Sequence, residues 1–328
     1  MWSGKKVLVT GAGGFIGSHL TEALIVAGAT TTAMVRYNSG GLIGNLAFID
    51  ADARKAMRVV SGNIEDSDFV YEAVKGQDIV LHLAALIAIP YSYEAPRSYV
   101  RTNIEGTLNV LEAARRYDVK RVVHTSTSEV YGTALRVPID EDHPLQGQSP
   151  YSASKIGADK LAESYYRSFA TPVMTLRPFN TFGPGQSARA FIPTIISQAL
   201  ERDEVRLGSL TPERDMTFVS DTVAGFMAAA ATPGIEGMTL NLGTGKTHSV
   251  GWFAERILRL MEVDRPLVQA DERMRPAASE VMKLVSDNTR ARDTMGWSPA
   301  VSLDDGLRRT IEFIRKHPLS YQTDRYVR

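Results

Sequence analysis

Tyr151-Ser152-Ala153-Ser154-Lys155 sets a phenol and an amine four residues apart. On a helix that spacing brings both to one face. An ammonium beside a phenol favours the phenolate and lowers its pKa. Such a phenolate can take the proton of a substrate hydroxyl as hydride leaves the same carbon. A second stretch, Ser126-Thr127-Ser128-Glu129-Val130-Tyr131-Gly132, adds hydroxyls and a carboxylate. Thr127 can bond the same substrate oxygen as Tyr151. Glu129 is extra, since simple alcohol oxidation needs no acid there. A base has a use if a second proton must leave next to a newly formed ketone. Thr127, Ser128, Glu129, Tyr151 and Lys155 are therefore the catalytic candidates.

Hydride chemistry needs an acceptor, and the N-terminus offers a place for one. Thr10-Gly11-Ala12-Gly13-Gly14-Phe15-Ile16-Gly17 follows an apolar run and opens an amphipathic one. Glycines at 11, 14 and 17 allow a tight turn and close approach of a pyrophosphate to backbone N–H groups at a helix N-terminus. Between strand and helix, that pattern reads as a dinucleotide site. An acid that binds the adenosine ribose should end the second strand, but no Asp or Glu lies between Gly28 and Phe48. Arg36 stands beside the expected slot, and an Arg would pair with a 2′-phosphate bidentately. The reading is NADP, with NAD as the alternative. Asn63, followed by Ile64, is placed to meet the adenine edge.

These residues need a scaffold, and the order of elements supplies one. Strand-like runs at Val7–Thr10, Thr30–Val35, Val59–Val60, Asp78–Leu83 and Arg121–Thr125 alternate with helical spacing at Phe15–Ala27, Asp66–Val74 and Ser98–Tyr117. A long helix at Tyr151–Phe169 and a strand at Val173–Arg177 follow. Apolar strands alternating with helices predict an α/β fold, a Rossmann-type doubly wound parallel sheet. After Gly183-Pro184-Gly185 the segments shorten and prolines punctuate them. The expected division is a cofactor domain over 1–180 and a smaller C-terminal substrate domain over 181–328. A strand near 238–243 is expected to return to the main sheet.

The 328 residues carry 37 Lys plus Arg and 37 Asp plus Glu, so the formal net charge is zero. That disfavours non-specific nucleic-acid binding, which needs a basic face. There is no cysteine, which excludes disulfides, thiol nucleophiles and Cys-ligated metals. Six scattered histidines without metal-ligand spacing predict no metal site. His82 and His124 read as satisfied core histidines. No signal-peptide pattern or membrane span is visible, so a cytoplasmic location is expected.

Taken together, Thr10–Gly17, Leu83-Ala84-Ala85, Thr102–Thr107, Thr127–Gly132, Tyr151–Lys155, Arg177–Asn180, Arg214–Asp221 and Arg275-Pro276 resemble the extended short-chain dehydrogenase/reductases, the sugar-nucleotide epimerase/dehydratase family. The resemblance implies cofactor contacts from Gly11, Gly13, Gly14, Phe15, Ile16, Gly17, Arg36, Asn63, Ile64, Leu83, Ala84, Ala85, Tyr151 and Lys155. It implies a nucleotide-sugar substrate, held by Asn180, Arg189, Arg214 and Arg275, whose guanidinium forks suit phosphate oxygens. It implies that Asn103 braces the active-site backbone, and a homodimer through the two long helices. Thr-Ser-Glu at 127–129 is similar to GDP-mannose 4,6-dehydratases and UDP-glucuronate decarboxylases. Dehydratases of the dTDP-glucose type usually carry Asp where Ser128 stands, and simple 4-epimerases usually lack the Glu.

The stretches Leu83–Tyr93, Asn180–Ile192 and Arg275–Val281 resemble N-acetylglucosamine-nucleotide 4,6-dehydratases of the legionaminic acid pathway. The expected reaction is therefore C4 oxidation of a UDP- or GDP-linked N-acetylglucosamine, water loss and hydride return to C6. In it, Tyr151 takes the C4 hydroxyl proton and Glu129 the C5 proton, with Glu129 or Ser128 assisting water loss. The alternatives are a UDP-glucuronate decarboxylase, a UDP-hexose 4-epimerase and, outside enzymes, an NAD(P)-binding regulatory protein.

Overall fold

The computed structural model describes residues 1–270 and 281–321. Its first half builds β1 (Lys6–Thr10), β2 (Thr30–Arg36), β3 (Arg58–Gly62), β4 (Ile79–His82), β5 (Arg121–Thr125) and β6 (Val173–Pro178), with helices between them. Four short strands leave this layer: β7 (Asn180–Phe182), β8 (Val205–Leu207), β9 (Glu213–Arg214) and β10 (Met216–Phe218). Then β11 (Thr239–Leu242) comes back beside β6, pairing Leu240 with Leu176. The sheet runs β11-β6-β5-β4-β1-β2-β3, and every pair is parallel. Strand order reverses between β1 and β4, so a crevice opens at their C-terminal ends.

Burial explains why these runs are strands. Val7, Leu8, Val9, Val80, Leu81 and Val123 expose none of their surface. Their side chains alternate between two cores, as strand geometry requires. Val7, Val9 and Leu81 face Leu20 and Leu24 of helix Phe15–Val26, while Leu8 and Val80 face Val110 and Leu111 of helix Gly106–Arg116. The first core continues through Ile195, Phe226 and Leu240 to Leu307 and Ile311. Residues beyond 180 thus share apolar packing with the sheet. They also form small sheets that join β7 to β10, and β9 to β12 (His248–Ser249) and β14 (Lys283–Leu284); β13 (Leu267–Gln269) pairs with β8.

The long helices differ from expectation in one respect. The spacing predicts one α-helix over Ser98–Tyr117, but a π-helical stretch, Val100–Glu105, interrupts it between Pro96–Tyr99 and Gly106–Arg116. The wide turn holds Asn103 inward, where its amide accepts from the Leu86 N–H at 2.8 Å and donates to the Leu86 carbonyl at 3.0 Å and Ser154 Oγ at 2.9 Å. One side chain therefore ties the loop after β4 to the helix Pro150–Phe169. Apolar spacing cannot show such a turn, because the extra residue per turn leaves the buried stripe nearly in place. No helix among the described residues is long and apolar enough to cross a membrane.

The turn after β1 needs its glycines for close approach. Gly11 has φ +71°, and a Cβ there would meet the Ala84 nitrogen at 2.8 Å. At Gly17 a Cβ would stand 2.3 Å from the Gly11 carbonyl oxygen. Gly17→Ala should therefore push the turn away from its helix. We expect a stability loss of ~1–3 kcal/mol in thermal denaturation, with weaker dinucleotide binding by titration.

Candidate active site

A cleft of about 1250 Å³ opens at the crevice, lined along one wall by the glycine turn and along the other by residues beyond 180. Gly11, Gly13, Gly14, Phe15, Ile16, Gly17, Arg36, Asn63, Ile64, Leu83, Ala84 and Ala85 all line it. Thr10 organises this end. Its hydroxyl meets His82 Nδ1 at 2.8 Å and accepts from the Leu83 and Ala84 N–H groups at 3.1 Å each, clamping the loop after β4 to β1. A Cβ on Gly13 would stand 2.9 Å from the Ile43 carbonyl oxygen, so backbone walls approach too closely for any side chain. A helix N-terminus between bare backbone walls fits a dinucleotide pyrophosphate. Arg36, at the exposed end of β2, lies at the far end of the cleft.

The catalytic candidates sit where β5 meets the helix Pro150–Phe169. That helix starts cleanly: Pro150 occupies its first turn, and Ser149 and Ser152 form a reciprocal cap. Tyr151 and Lys155 are both buried on its sheet-facing side. The Lys155 ammonium donates to the Thr125 carbonyl at 2.5 Å. The Thr127 hydroxyl bonds the Tyr151 phenol, and the charge of Glu129 acts on the same phenol. Thr127, Glu129, Tyr151 and Lys155 all line the cleft.

Two expectations change here. Lys155 does not lower the phenol of Tyr151 overall, because burial pushes that phenol up and outweighs the Thr127 hydrogen bond. Burial also pulls Lys155 down to about 8, while Asp159 opposes the fall. Ser128 is the second. Thr127 is extended and caps the short 3-10 turn Ser128–Tyr131, accepting from the Glu129 N–H at 3.2 Å. That turn directs Ser128 inward, where it is 2% exposed, and it does not line the cleft.

The substrate-side candidates also converge on the cleft. Asn180 lines it, and its Oδ1 is buried without a partner in the protein. Arg214, on β9, is buried at 7% exposure and lines it as well. Arg189 lies at its rim, and its charge acts on Tyr99. Tyr99 packs edge-on against Tyr151, with ring centroids 6.2 Å apart. Arg189 therefore stands toward the reacting end. The chain reaches it through the Gly183-Pro184-Gly185 turn, held to the glycine-turn side by His19 Nε2 at 2.8 Å from the Pro184 carbonyl and Asn45 Nδ2 at 2.6 Å from that of Gly185. Arg275 lies outside the described residues.

Beneath the cleft runs a polar network with only fragments visible in the sequence. Asp159 accepts from His124 Nε2 at 3.0 Å, Ser126 Oγ at 2.7 Å and Arg177 Nη2 at 2.9 Å. Arg177 also donates to the Tyr131 hydroxyl at 2.9 Å, and Tyr131 donates to Asn241 Oδ1 of β11 at 2.7 Å. His82 is the satisfied core histidine expected, bonded through both ring nitrogens to Thr10 and Thr107. His124 is not, because its Nδ1 is buried without a partner and its Nε2 serves a charge. In the sequence, the helical spacing 151, 155, 159 extends the Tyr151–Lys155 face by one turn to Asp159.

The matches to known proteins cover this whole arrangement. Residues 8–310 match the family described as GDP-mannose 4,6 dehydratase. The chain belongs to that family. It is 33% identical over 317 residues to a UDP-glucose 4-epimerase of Mycolicibacterium smegmatis, covering 94% of this chain and 98% of that one. It is 34% identical over 316 residues to a dTDP-glucose 4,6-dehydratase of Streptomyces griseus, covering 95% and 94%. Its fold is similar to that of the dTDP-glucose 4,6-dehydratase DesIV of Streptomyces venezuelae, solved with NAD bound. The TM-score is 0.87 at 29% identity, over 97% of this chain and 99% of that one. The family is one of sugar-nucleotide dehydratases and epimerases, so the chain is an enzyme of that group.

Its buried carboxylate gives the site a pH signature. Hydrogen bonds and the Arg177 charge overcome burial and hold Asp159 at about 2, against an ordinary 3.8. A depressed acid stabilises the fold fully above its unfolded pKa, and that contribution is lost as pH falls through the folded one. We expect roughly 2 kcal/mol to disappear between about pH 4 and pH 2. Thermal melts of the wild type should fall more steeply in that window than those of Asp159→Asn.

Proposed function

We propose that this enzyme is a sugar-nucleotide 4,6-dehydratase acting on a UDP- or GDP-linked N-acetylglucosamine. The observation that carries the reading is Glu129, a cleft-lining carboxylate whose charge reaches the Tyr151 phenol. Oxidation at C4 followed by re-reduction at C4 has no use for such an acid. Water loss across C5 and C6 does. Asn180, Arg189, Arg214 and Arg275 are assigned to the nucleotide sugar. The cofactor contacts are assigned to the glycine turn, Arg36, Asn63, Ile64, Leu83 to Ala85, Tyr151 and Lys155. A homodimer through the two long helical stretches, about 98–117 and 151–169, belongs to the same reading, as does a cytoplasmic location. So does a division of labour in which residues 1–180 serve the cofactor and 181–328 the sugar nucleotide.

The residues divide the work by carbon atom. A nicotinamide held by the glycine turn would supply the redox capacity that oxidation at C4 and reduction at C6 require. Tyr151 removes the C4 hydroxyl proton, with Thr127 bonding the same oxygen. Lys155 contributes a positive charge that favours the phenolate, against the burial that raises the phenol. The 4-ketone acidifies C5–H. Glu129 takes that proton and passes it to the departing C6 hydroxyl, which leaves as water. A solvent proton, balanced by the one Tyr151 took at C4, adds at C5 as hydride adds at C6. Ser128 has no part in this step, since it faces the protein interior. The product is a 4-keto-6-deoxy sugar nucleotide.

A second reading is favoured by Arg189, whose charge is felt at Tyr99 against the reacting end of the cleft. A cation there suits the C6 carboxylate of a UDP-glucuronate, and the reaction would then be C4 oxidation with loss of carbon dioxide. Product masses separate the readings. With UDP- and GDP-linked N-acetylglucosamine, UDP-glucuronate and GDP-mannose offered in turn, we expect loss of water from an N-acetylglucosamine nucleotide. Loss of carbon dioxide from UDP-glucuronate alone would establish the decarboxylase instead. Glu129→Gln should keep C4 oxidation, seen as nicotinamide absorbance in a single turnover, and lose dehydration by about 100-fold or more. Full water loss by that variant would remove Glu129 from the mechanism.

For the cofactor we infer NADP. Arg36 at the adenosine end supports it, because a guanidinium pairs with a 2′-phosphate and no acid stands at the end of β2 to repel one. NADP should bind at least about tenfold tighter than NAD, and Arg36→Ala should erase that preference, as read by dissociation constants for both. Tighter binding of NAD by the wild type would assign Arg36 to adenine stacking.

A further inference from the structure

The seam between β5 and the helix Pro150–Phe169 engages three helix residues, one per turn. Thr127 serves Tyr151, the Thr125 carbonyl serves Lys155, and the side chains of His124 and Ser126 serve Asp159. Only the first two touch the cleft chemistry of the functional reading. Asp159 lies one turn beyond Lys155 and is 4% exposed. Its Oδ1 accepts from His124, and its Oδ2 accepts from Ser126 and from both Nε and Nη2 of Arg177, at 3.2 and 2.9 Å. No oxygen of this carboxylate is left to rotate, so its charge is fixed in place.

The charges around Lys155 do not cancel without it. From β4 comes His82 and from β5 His124, both held neutral by burial. From β6 comes Arg177, a cation whose own partner is Asp159. From the turn after β5 comes Glu129, and from the same helix come Tyr151, held protonated by burial, and Asp159. His124 donates through Nε2 while Nδ1 has no partner, which suits the neutral ring. Around Lys155 this buried layer thus sets the cation Arg177 and the anion Asp159, with the carboxylate of Glu141 farther off, beside Asn241 and Tyr131. An Asp–Arg pair kept for packing alone could be replaced by apolar residues at little cost. Here the charge of the anion also acts on a second cation, Lys155, one helical turn before it.

We propose that Asp159 is a positioning residue for Lys155, its carboxylate locked by His124, Ser126 and Arg177 so that the lysine stays cationic and bonded to the Thr125 carbonyl. The assignment rests on the reading in which Lys155 assists Tyr151. It goes further by locating the determinant of the lysine's charge outside the cleft.

The test is the pH profile of the first oxidative half-reaction, followed as nicotinamide reduction in single turnovers of full-length protein. This step is common to dehydratase, decarboxylase and epimerase. In the wild type, Lys155 near 8 should set the alkaline limb. Asp159→Asn should move that limb to lower pH by about one unit or more, because the opposing anion is gone. Ser126→Ala keeps the carboxylate and removes one of its donors, so it should move the limb by less than Asp159→Asn does. A folded Asp159→Asn protein with a reduced rate but an unmoved limb would overturn the proposal. If the single variant does not fold, Asp159→Asn with Arg177→Gln removes both members of the pair and should shift the limb in the same direction by a smaller amount. Failure of both to fold would assign the pair to the scaffold and overturn the proposal as well. If the wild type oxidises no sugar nucleotide, the functional reading fails separately. The pH dependence of dinucleotide affinity in wild type and variant then reads the charge of Lys155 directly, and coincident curves would overturn the proposal.

Discussion

The structure depends most on the contact between the end of β5 and the helix Pro150–Phe169. The end of β5 and the two residues after it, His124-Thr125-Ser126-Thr127, leave two side chains, a carbonyl and a hydroxyl facing one helix. Each finds a partner on that helix at a spacing of four residues. The pairing fixes helix rotation as firmly as helix position, because a shift of one residue would turn Tyr151, Lys155 and Asp159 away together. The reciprocal serine cap at its start and the Asn103 bond to Ser154 act at the same end. The most constrained part of the helix is therefore its first three turns, where the chemistry lies.

From this seam the constraint spreads outward through polar groups. Arg177 carries it to β6, Tyr131 to the turn bearing Glu129, and Asn241 to β11. Strand β11 arrives from the part of the chain beyond 180, having passed through four short strands first. The return explains why the later residues are not a separate ball on a linker. Asn241 and the shared apolar core join them to the sheet, and the cleft lies between walls that are packed on a common support. A cleft built that way can hold a flexible nucleotide sugar in one pose, since both walls rest on the same packed core.

Much of this was legible in the residues, and the reasons are physical. The sheet could be read because strands buried on both faces must be continuously apolar, as Val7-Leu8-Val9 and Val80-Leu81 are. The glycine turn could be read because close backbone approach admits no other residue type at Gly11 and Gly17. Tyr151 and Lys155 could be read because helical spacing is local. The π-helical turn at Val100–Glu105 was hidden, because the amphipathic stripe barely registers it. The Asp159 network was hidden because its members are 35 and 18 residues apart along the chain and meet only across the sheet. Arg177 was noticed within Arg177-Pro178-Phe179-Asn180, but a strand arginine with no visible acid nearby had no assignable partner. The lowering of the Tyr151 phenol was expected from Lys155 alone. The expectation left out burial, which for a side chain enclosed on all sides outweighs one neighbouring dipole or charge.

Ser128 shows how the same geometry both removes and assigns a role. Thr127 is extended, and the 3-10 turn begins immediately after it. Across that turn Thr127 and Glu129 line the cleft, while Ser128 between them is buried in the core. A hydroxyl that faces inward cannot serve a leaving group, whatever its chemistry. The carboxylate two residues from Thr127 gains the reach that Ser128 loses. In the dehydratase reading Tyr151 and Thr127 act on the oxygen at C4, while Glu129 acts on the adjacent C5 and C6. A single short turn, anchored through Tyr131 to Arg177, thus sets the separation between the oxidation and elimination groups. Because that anchor ends on the same Asp159 whose charge acts on Lys155, one buried carboxylate connects the position of the acid that eliminates to the charge of the amine that assists oxidation.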